Sequence, residues 1–340
     1  MENLSRTASR ALGLGVLFLV GSAATAAAAT AVGPTSTSTT AVSAPVTTVN
    51  KATYTLSLGT ELMEGDTTYQ IGYPITMPNG AVIDGYFPIS ELEWPLDIWL
   101  ARLQGSARIN DQWRLNATIK KDLSTPDDNM VDSDWTTPSN PSRLDVYSES
   151  EISSFDALIM DLDVEWTFIR RKAVSFYAGL GYLYQDFDYD SKVISQHSPS
   201  GLPGFDFTGD GRVSVTYETT YSMPYLKVGT DIQVTPDLNL TGSFSYSPFV
   251  DAEDTDNHLL REFGGKINTG DMDGDAYMFD VSGKYLFTSA LFLEAGFHYL
   301  RIEVDGTQNQ VYGWGFPLGT VAEEAESTQT SGYLSIGYKF

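Results

Sequence analysis

Val174-Ser175-Phe176-Tyr177-Ala178-Gly179-Leu180-Gly181-Tyr182-Leu183-Tyr184 decides the fold class. Successive side chains of an extended chain point to opposite faces. Val174, Phe176, Ala178, Leu180 and Tyr182 therefore share one face, and Ser175, Tyr177, Gly179 and Gly181 the other. That is the period of a strand. The alternation recurs downstream. Leu238, Leu240, Phe244 and Tyr246 oppose Asn239, Thr241, Ser243 and Ser245; Tyr277, Phe279, Val281, Tyr285 and Phe287 oppose Asp280, Ser282 and Lys284; Leu291, Leu293, Ala295, Phe297 and Tyr299 oppose Glu294, Gly296 and His298. One face is apolar and the other polar. A soluble sandwich packs its apolar faces inward, whereas a membrane barrel turns them to lipid and lines its lumen with the polar face. Alternation alone leaves both open.

The connections separate the two. Tight turns at Ile109-Asn110-Asp111-Gln112, Arg170-Arg171-Lys172, Thr235-Pro236-Asp237 and Thr288-Ser289 alternate with long polar stretches near 79–85, 124–151, 191–212, 251–275 and 305–328. Short turns at one end and long loops at the other are the pattern of outer-membrane barrels. The chain also ends on an amphipathic strand, with Leu334, Ile336, Tyr338 and the terminal Phe340 on one face. Segments beginning near Ala52, Ile89, Trp113, Ile152, Ala173, Val213, Leu238, Ala276, Ala290 and Thr328 predict ten strands, an even number as single-chain barrels have. The expected fold is all-β: a ten-stranded antiparallel transmembrane β-barrel over residues 51–340, with long extracellular loops and short periplasmic turns. About 9 to 11 residues of strand cross a bilayer, and several segments are far longer. The excess is expected to stand above the membrane at the long-loop end.

Ahead of the barrel, Arg6 and Arg10 precede an apolar run and an alanine-rich stretch, which reads as a signal peptide over 1–29. Residues 30–50, rich in Ser and Thr, read as a linker. The sequence contains no cysteine, which removes disulfides, thiol catalysis and thiolate metal sites together. A formal charge of -24, from 44 acids and 20 bases, excludes nucleic acid as a partner, because no basic stripe replaces the phosphate counterions.

Two acidic stretches stand out. Asn129-Met130-Val131-Asp132-Ser133-Asp134-Trp135 places two carboxylates two residues apart, and Asp254-Thr255-Asp256-Asn257-His258 puts Asp256 and His258 on one face behind a third acid. A carboxylate pair facing an Asp-His pair can hold, orient and deprotonate a water, the minimum equipment for hydrolysis without a serine or cysteine nucleophile. Taken singly, these residues have plainer readings as turn acids or a surface histidine. His197 and His298 form no zinc motif, and no GxSxG elbow is present. Asp271-Met272-Asp273-Gly274-Asp275 alternates acids as a calcium loop does but lacks the full ligand set, so it reads as a solvated acidic loop. Trp94, Trp113, Trp166 and Trp314 read as interface-girdle or rim residues.

The Asn129–Trp135 stretch, followed by Ser139-Asn140-Pro141, resembles the signature of the omptins, ten-stranded outer-membrane endopeptidases with an extracellular active-site groove. Ser57-Leu58-Gly59-Thr60, Ser90-Glu91-Leu92-Glu93-Trp94, Met223-Pro224-Tyr225 and Asp254–His258 match in family order over almost the whole mature chain. The resemblance implies catalytic roles for Asp132, Asp134, Asp256 and His258. It implies a substrate pocket for a basic side chain built on Asp66 and Asp254, and a neighbouring pocket lined by Met130 and Val215. It further implies a monomer in the bacterial outer membrane, its active site at the cell surface, cutting peptides or proteins with basic residues, with no metal or other cofactor and with membrane lipid as its surroundings. Omptins hold lipopolysaccharide through basic side chains; here Asp186 and Thr220 stand at the corresponding places, so lipopolysaccharide activation does not carry over directly, and bridging by a divalent cation such as Ca2+ is the remaining route. The alternative function is a catalytically silent barrel acting as an adhesin through its acidic loops. A diffusion porin fits less well, because ten strands leave a lumen largely filled by side chains.

Overall fold

The computed structural model describes residues 52–340; the expected signal peptide (1–29), the expected linker (30–50) and residue 51 of the expected barrel lie outside the described residues. The strands are β1 (Thr53–Thr76), β2 (Val82–Ile83), β3 (Ser90–Pro95), β4 (Ile98–Arg108), β5 (Trp113–Asp122), β6 (Met130–Asp134), β7 (Val146–Arg170), β8 (Val174–His197), β9 (Phe207–Thr208), β10 (Val215–Gln233), β11 (Leu238–His258), β12 (Lys266–Leu286), β13 (Leu291–Tyr312) and β14 (Pro317–Lys339). No helix occurs among the described residues.

The sheet closes on itself antiparallel in the order β1-β4-β5-β7-β8-β10-β11-β12-β13-β14 and back to β1. β3 extends the β4 stave beyond Leu96-Asp97 while pairing with β1, and β6 extends the β5 stave while pairing with β3 and β7. The result is the expected ring of ten. The closing pair runs from Thr55↔Lys339 to Thr76↔Thr320, so among the described residues no long strand edge is left unpaired.

β8 shows in one strand how the barrel meets two solvents. Its outward positions begin as Phe176, Leu180 and Tyr182, all exposed, and continue as Asp186, Asp188 and Asp190; its inward positions include buried Tyr177, Leu183, Phe187 and Tyr189. The same reversal occurs around the ring. In the half carrying the short turns, Leu58, Leu162, Leu180 and Val281 are about 60% exposed on the outside, and charged groups line the lumen around a cavity of about 620 Å3. In the other half, outward acids face each other directly across neighbouring strands, Asp251↔Asp273, Asp273↔Asp305 and Asp305↔Glu324, and the interior is an apolar and aromatic core. An apolar exterior is stable only against lipid and an acidic one only against water. The first half is therefore the membrane-spanning part, and the second stands above it.

Several sequence expectations are corrected here. The stretches 251–275 and 305–328 are mostly strand, and their connections shrink to 259–265 and 313–316. Polar-outward strands above a membrane look like loops in the sequence because their apolar residues are spaced singly. Asp271, Asp273 and Asp275 belong to β12 rather than to a loop, with Asp271 and Asp273 exposed; the alternation of acids is the strand's own pleat. Trp94 is fully buried, not a girdle residue. Trp113 and Trp166 are cross-strand neighbours on the exterior, and Trp314 is exposed.

Candidate active site

β6 is short, but both its edges are occupied. Asp132 lies opposite Leu92 on β3 and Ser148 on β7. Trp135 N–H donates to Ile89 O at 2.9 Å, and Asp145 N–H donates to Asp134 O at 2.9 Å. The aspartate pair is thus presented from a sheet rather than from a free loop, which fixes its geometry. On the opposite wall β11 carries Asp256 and His258, with Val215 on β10 and Lys266 on β12 flanking His258 in register.

These walls face one cavity of about 810 Å3, lined by Asp132, Asp134, Asp256 and His258 together with Tyr69, Asn268, Arg261 and Lys266. Three donors converge on Asp256 Oδ2: Tyr69 O–H at 2.5 Å, Asn268 Nδ2–H at 2.9 Å and His258 Nε2 at 2.9 Å. Binding through Nε2 leaves Nδ1 of His258 free to exchange a proton with a ligand in the cavity. Burial opposes ionisation of Asp256, but His258, Tyr69 and Asn268 outweigh it and hold the carboxyl below the usual range. Asp256 is thereby an anion that orients an imidazole.

The facing pair is tuned the other way. Burial, reinforced by the Asp134 charge, pushes the half-buried Asp132 up to about 7 against the pull of His258. Burial also raises Asp134, opposed by the Ser90 hydroxyl, Arg261 and His258. Two adjacent carboxylates in a partly desolvated site share one negative charge more readily than two. Oδ1 of Asp132 and Oδ1 of Asp256 are both shielded from solvent and receive no hydrogen bond from the protein, so each wall holds an unpaired acceptor. Lys266 is lowered, first by burial and then by Arg261.

Beneath the cavity Trp94 stacks on Tyr217 at 4.9 Å between centroids, and Tyr217 on Tyr69 at 5.2 Å. These buried rings form one stacked row beneath part of the groove.

The sequence-predicted residues divide accordingly. Asp132, Asp134, Asp256 and His258 line the same cavity. Asp254 is buried below it, accepting from Tyr217 O–H at 3.2 Å and Gly270 N–H at 2.9 Å. Asp66 is exposed on the outside, accepting from the Thr68 hydroxyl at 3.2 Å; Thr67 and Tyr69 hold the inward positions, so pleat parity removes Asp66 from the pocket. Met130 and Val215 are buried in the core and do not line the cavity. The inward parity of β1 and β12 was the available signal for Tyr69 and Asn268, which sequence reasoning missed.

The omptin family model matches residues 83–340. The chain belongs to the omptin family. Its barrel is similar to the crystal structure of the outer membrane protease OmpT from Escherichia coli, with a TM-score of 0.64 at 19% identity over 86% of this chain and 98% of that one. Lower likenesses include the outer membrane protein OprG from Pseudomonas aeruginosa, TM-score 0.36, 10% identity, covering 86% and 97%, and the translocator domain of the autotransporter NalP from Neisseria meningitidis, TM-score 0.34, 9% identity, covering 87% and 91%. No curated protein matches this chain. As an omptin with an apolar exterior band, the chain is an outer-membrane barrel.

Proposed function

We propose that this omptin is an outer-membrane endopeptidase that cuts peptide bonds beside basic residues, working as a monomer with its groove at the cell surface. Membership of the family and the fold shared with the outer membrane protease OmpT support the coarse class, an outer-membrane protease. The observation that carries the mechanism is the single cavity lined by Asp132, Asp134, Asp256 and His258.

The chemistry follows from the two unlike walls. A water lies between the Asp132 and Asp256–His258 walls, accepted by Asp132. Its oxygen attacks the peptide carbonyl carbon while its proton passes to His258; Asp256 orients the imidazole and stabilises the imidazolium that forms. His258 then returns the proton to the leaving amine as the carbon–nitrogen bond breaks. Asp134 shares the negative charge of its partner and keeps one carboxylate available. An adhesin has no need for two oppositely tuned acid sites around one cavity, and the enzyme reading accounts for both.

The exterior offers no basic clamp at the expected place, since Asp186 lies directly opposite Thr220 on the outer wall. Cleavage is therefore measured with and without lipopolysaccharide and Ca2+. Refolded, heat-modifiable protein is expected to cut a fluorogenic peptide with Arg before the scissile bond, and Asp132→Ala and His258→Ala to abolish the cut. Failure of folded wild type to cut that peptide or a mixed library under any of these conditions would sink the protease reading.

A further inference from the structure

The cavity floor has a second layer. Asp256, Asn268, Gln310, Val321 and Tyr69 line the cavity, and the next inward position on each of their strands is Asp254, Gly270, Gln308, Glu323 and Thr67. All five are buried, with Glu323 only 1% exposed. Two residues of strand are about 7 Å, a depth that an extended arginine or lysine side chain spans.

Gly270 opens this layer. A Cβ there would stand 2.2 Å from Glu323 Oε2 and 2.4 Å from Asp254 Oδ1, so the missing side chain is what allows the two carboxylates to approach each other. Gln308 Nε2–H donates to Glu323 Oε1 at 2.7 Å, but Glu323 Oε2 is buried with no donor, as are Thr219 Oγ1 and the Tyr221 hydroxyl. Unpaired buried acceptors are costly and uncommon. Thr219 lies directly opposite Asp254, so these groups gather around the two carboxylates, close to the Tyr69 and Tyr217 rings, the kind of surface on which guanidinium groups stack.

Building on the endopeptidase reading, we propose that Glu323 is the second acid of the pocket for the basic side chain, acting with Asp254 in the place that the outward-facing Asp66 leaves unfilled. A guanidinium entering between Asn268 and Gln310 supplies the donors that Glu323 Oε2 and its neighbours lack, and its planar fork suits two carboxylates at once. Burial, with the Asp254 charge adding to it, pushes Glu323 up to about 9, and burial, with Asp256 adding to it, pushes Asp254 up to about 7. The two carboxyls thus hold a proton between them, which an entering cation would displace.

The test is a ratio of affinities. Binding of an arginine peptide and of its citrulline counterpart, equal in shape but uncharged, is measured by calorimetry on folded full-length His258→Ala, alone and combined with Glu323→Gln or Gly270→Ala. The arginine preference is expected to fall at least about tenfold with either second change: Glu323→Gln removes the charge, and Gly270→Ala keeps both charges but fills the space between them. A residue of merely structural importance would weaken both peptides alike and leave the ratio unmoved. An unchanged ratio in either folded double variant overturns the assignment of Glu323. Wild-type cleavage is scored separately, so an uncut peptide refutes the protease reading while the affinity ratio still judges the pocket.

Discussion

In the membrane-spanning half of the lumen Glu61 receives Arg102 at 2.9 Å and Lys120 at 2.6 Å, Asp163 receives Lys227 at 2.9 Å, and Arg114 bridges Glu165 and Asp231. Above the membrane, Asp132 Oδ1, Asp256 Oδ1 and Glu323 Oε2 are equally hidden from water yet have no donor. Both regions bury charge inside the same barrel. The lower one pairs these acids with bases around a lumen cavity of about 620 Å3; in the upper one Asp132 and Asp256 line the groove and, like Glu323, each keep an oxygen with no cation beside it, a cost to stability that a ligand or a reaction offsets. The contrast separates scaffold from site more sharply than charge or burial does alone.

The strongest way to break the comparison is to remove one group from each region. Asp132→Ala or His258→Ala is expected to lower kcat/KM by about 10^3-fold or more, within or beyond the range of general acid–base catalysis, while the barrel stays heat-modifiable on gels. Glu61→Ala is expected to do the reverse. It strands Arg102 and Lys120, costs about 3–5 kcal/mol in urea unfolding, and leaves kcat/KM per folded molecule unchanged. Loss of activity in a fully folded Glu61→Ala protein would erase the distinction.

Titration sharpens it. Asp132 must be ionised to hold the water, so kcat/KM is expected to fall as pH drops through about 7. Stability runs the opposite way for Asp254. Its folded pKa of about 7 lies above that of the unfolded chain, so the folded state holds more protons between the two values and this group's contribution falls as pH rises. Asp254→Asn is accordingly expected to raise the urea midpoint at pH 8 and to leave it nearly unchanged at pH 3. A lower midpoint at pH 8 would show that this acid stabilises the fold after all. The smallest effect is expected from Tyr69→Phe, which removes one of three donors to Asp256. A loss of up to about tenfold in kcat/KM corresponds to one hydrogen bond to a charged group, with the acid limb set by Asp132 unmoved.

Much of the fold was legible because it depends on period. Phe176, Leu180 and Tyr182 alternate with small and polar residues, and that pattern names both the strand and the face that meets lipid. The strand ends above the membrane were illegible for the complementary reason: Asp271 and Asp273 alternate with inward Gly270 and Met272, and an acidic strand in water reads like a loop. The four candidate catalytic residues were legible as two short motifs, since each pair is local. Asp66 was misplaced because a match along the chain does not register which side of the pleat a residue occupies.

By itself, then, the sequence determined the period, the number of staves and the two halves of the candidate site, all of which are relations between residues close in the chain. Only the tertiary structure decided that Asp132 and His258 share a cavity, that Asp66 faces outward, and that Glu323 and Asp254 meet over Gly270. Those depend on barrel closure and on the register between strands distant in sequence, and a shift of one residue exchanges every inward side chain for an outward one.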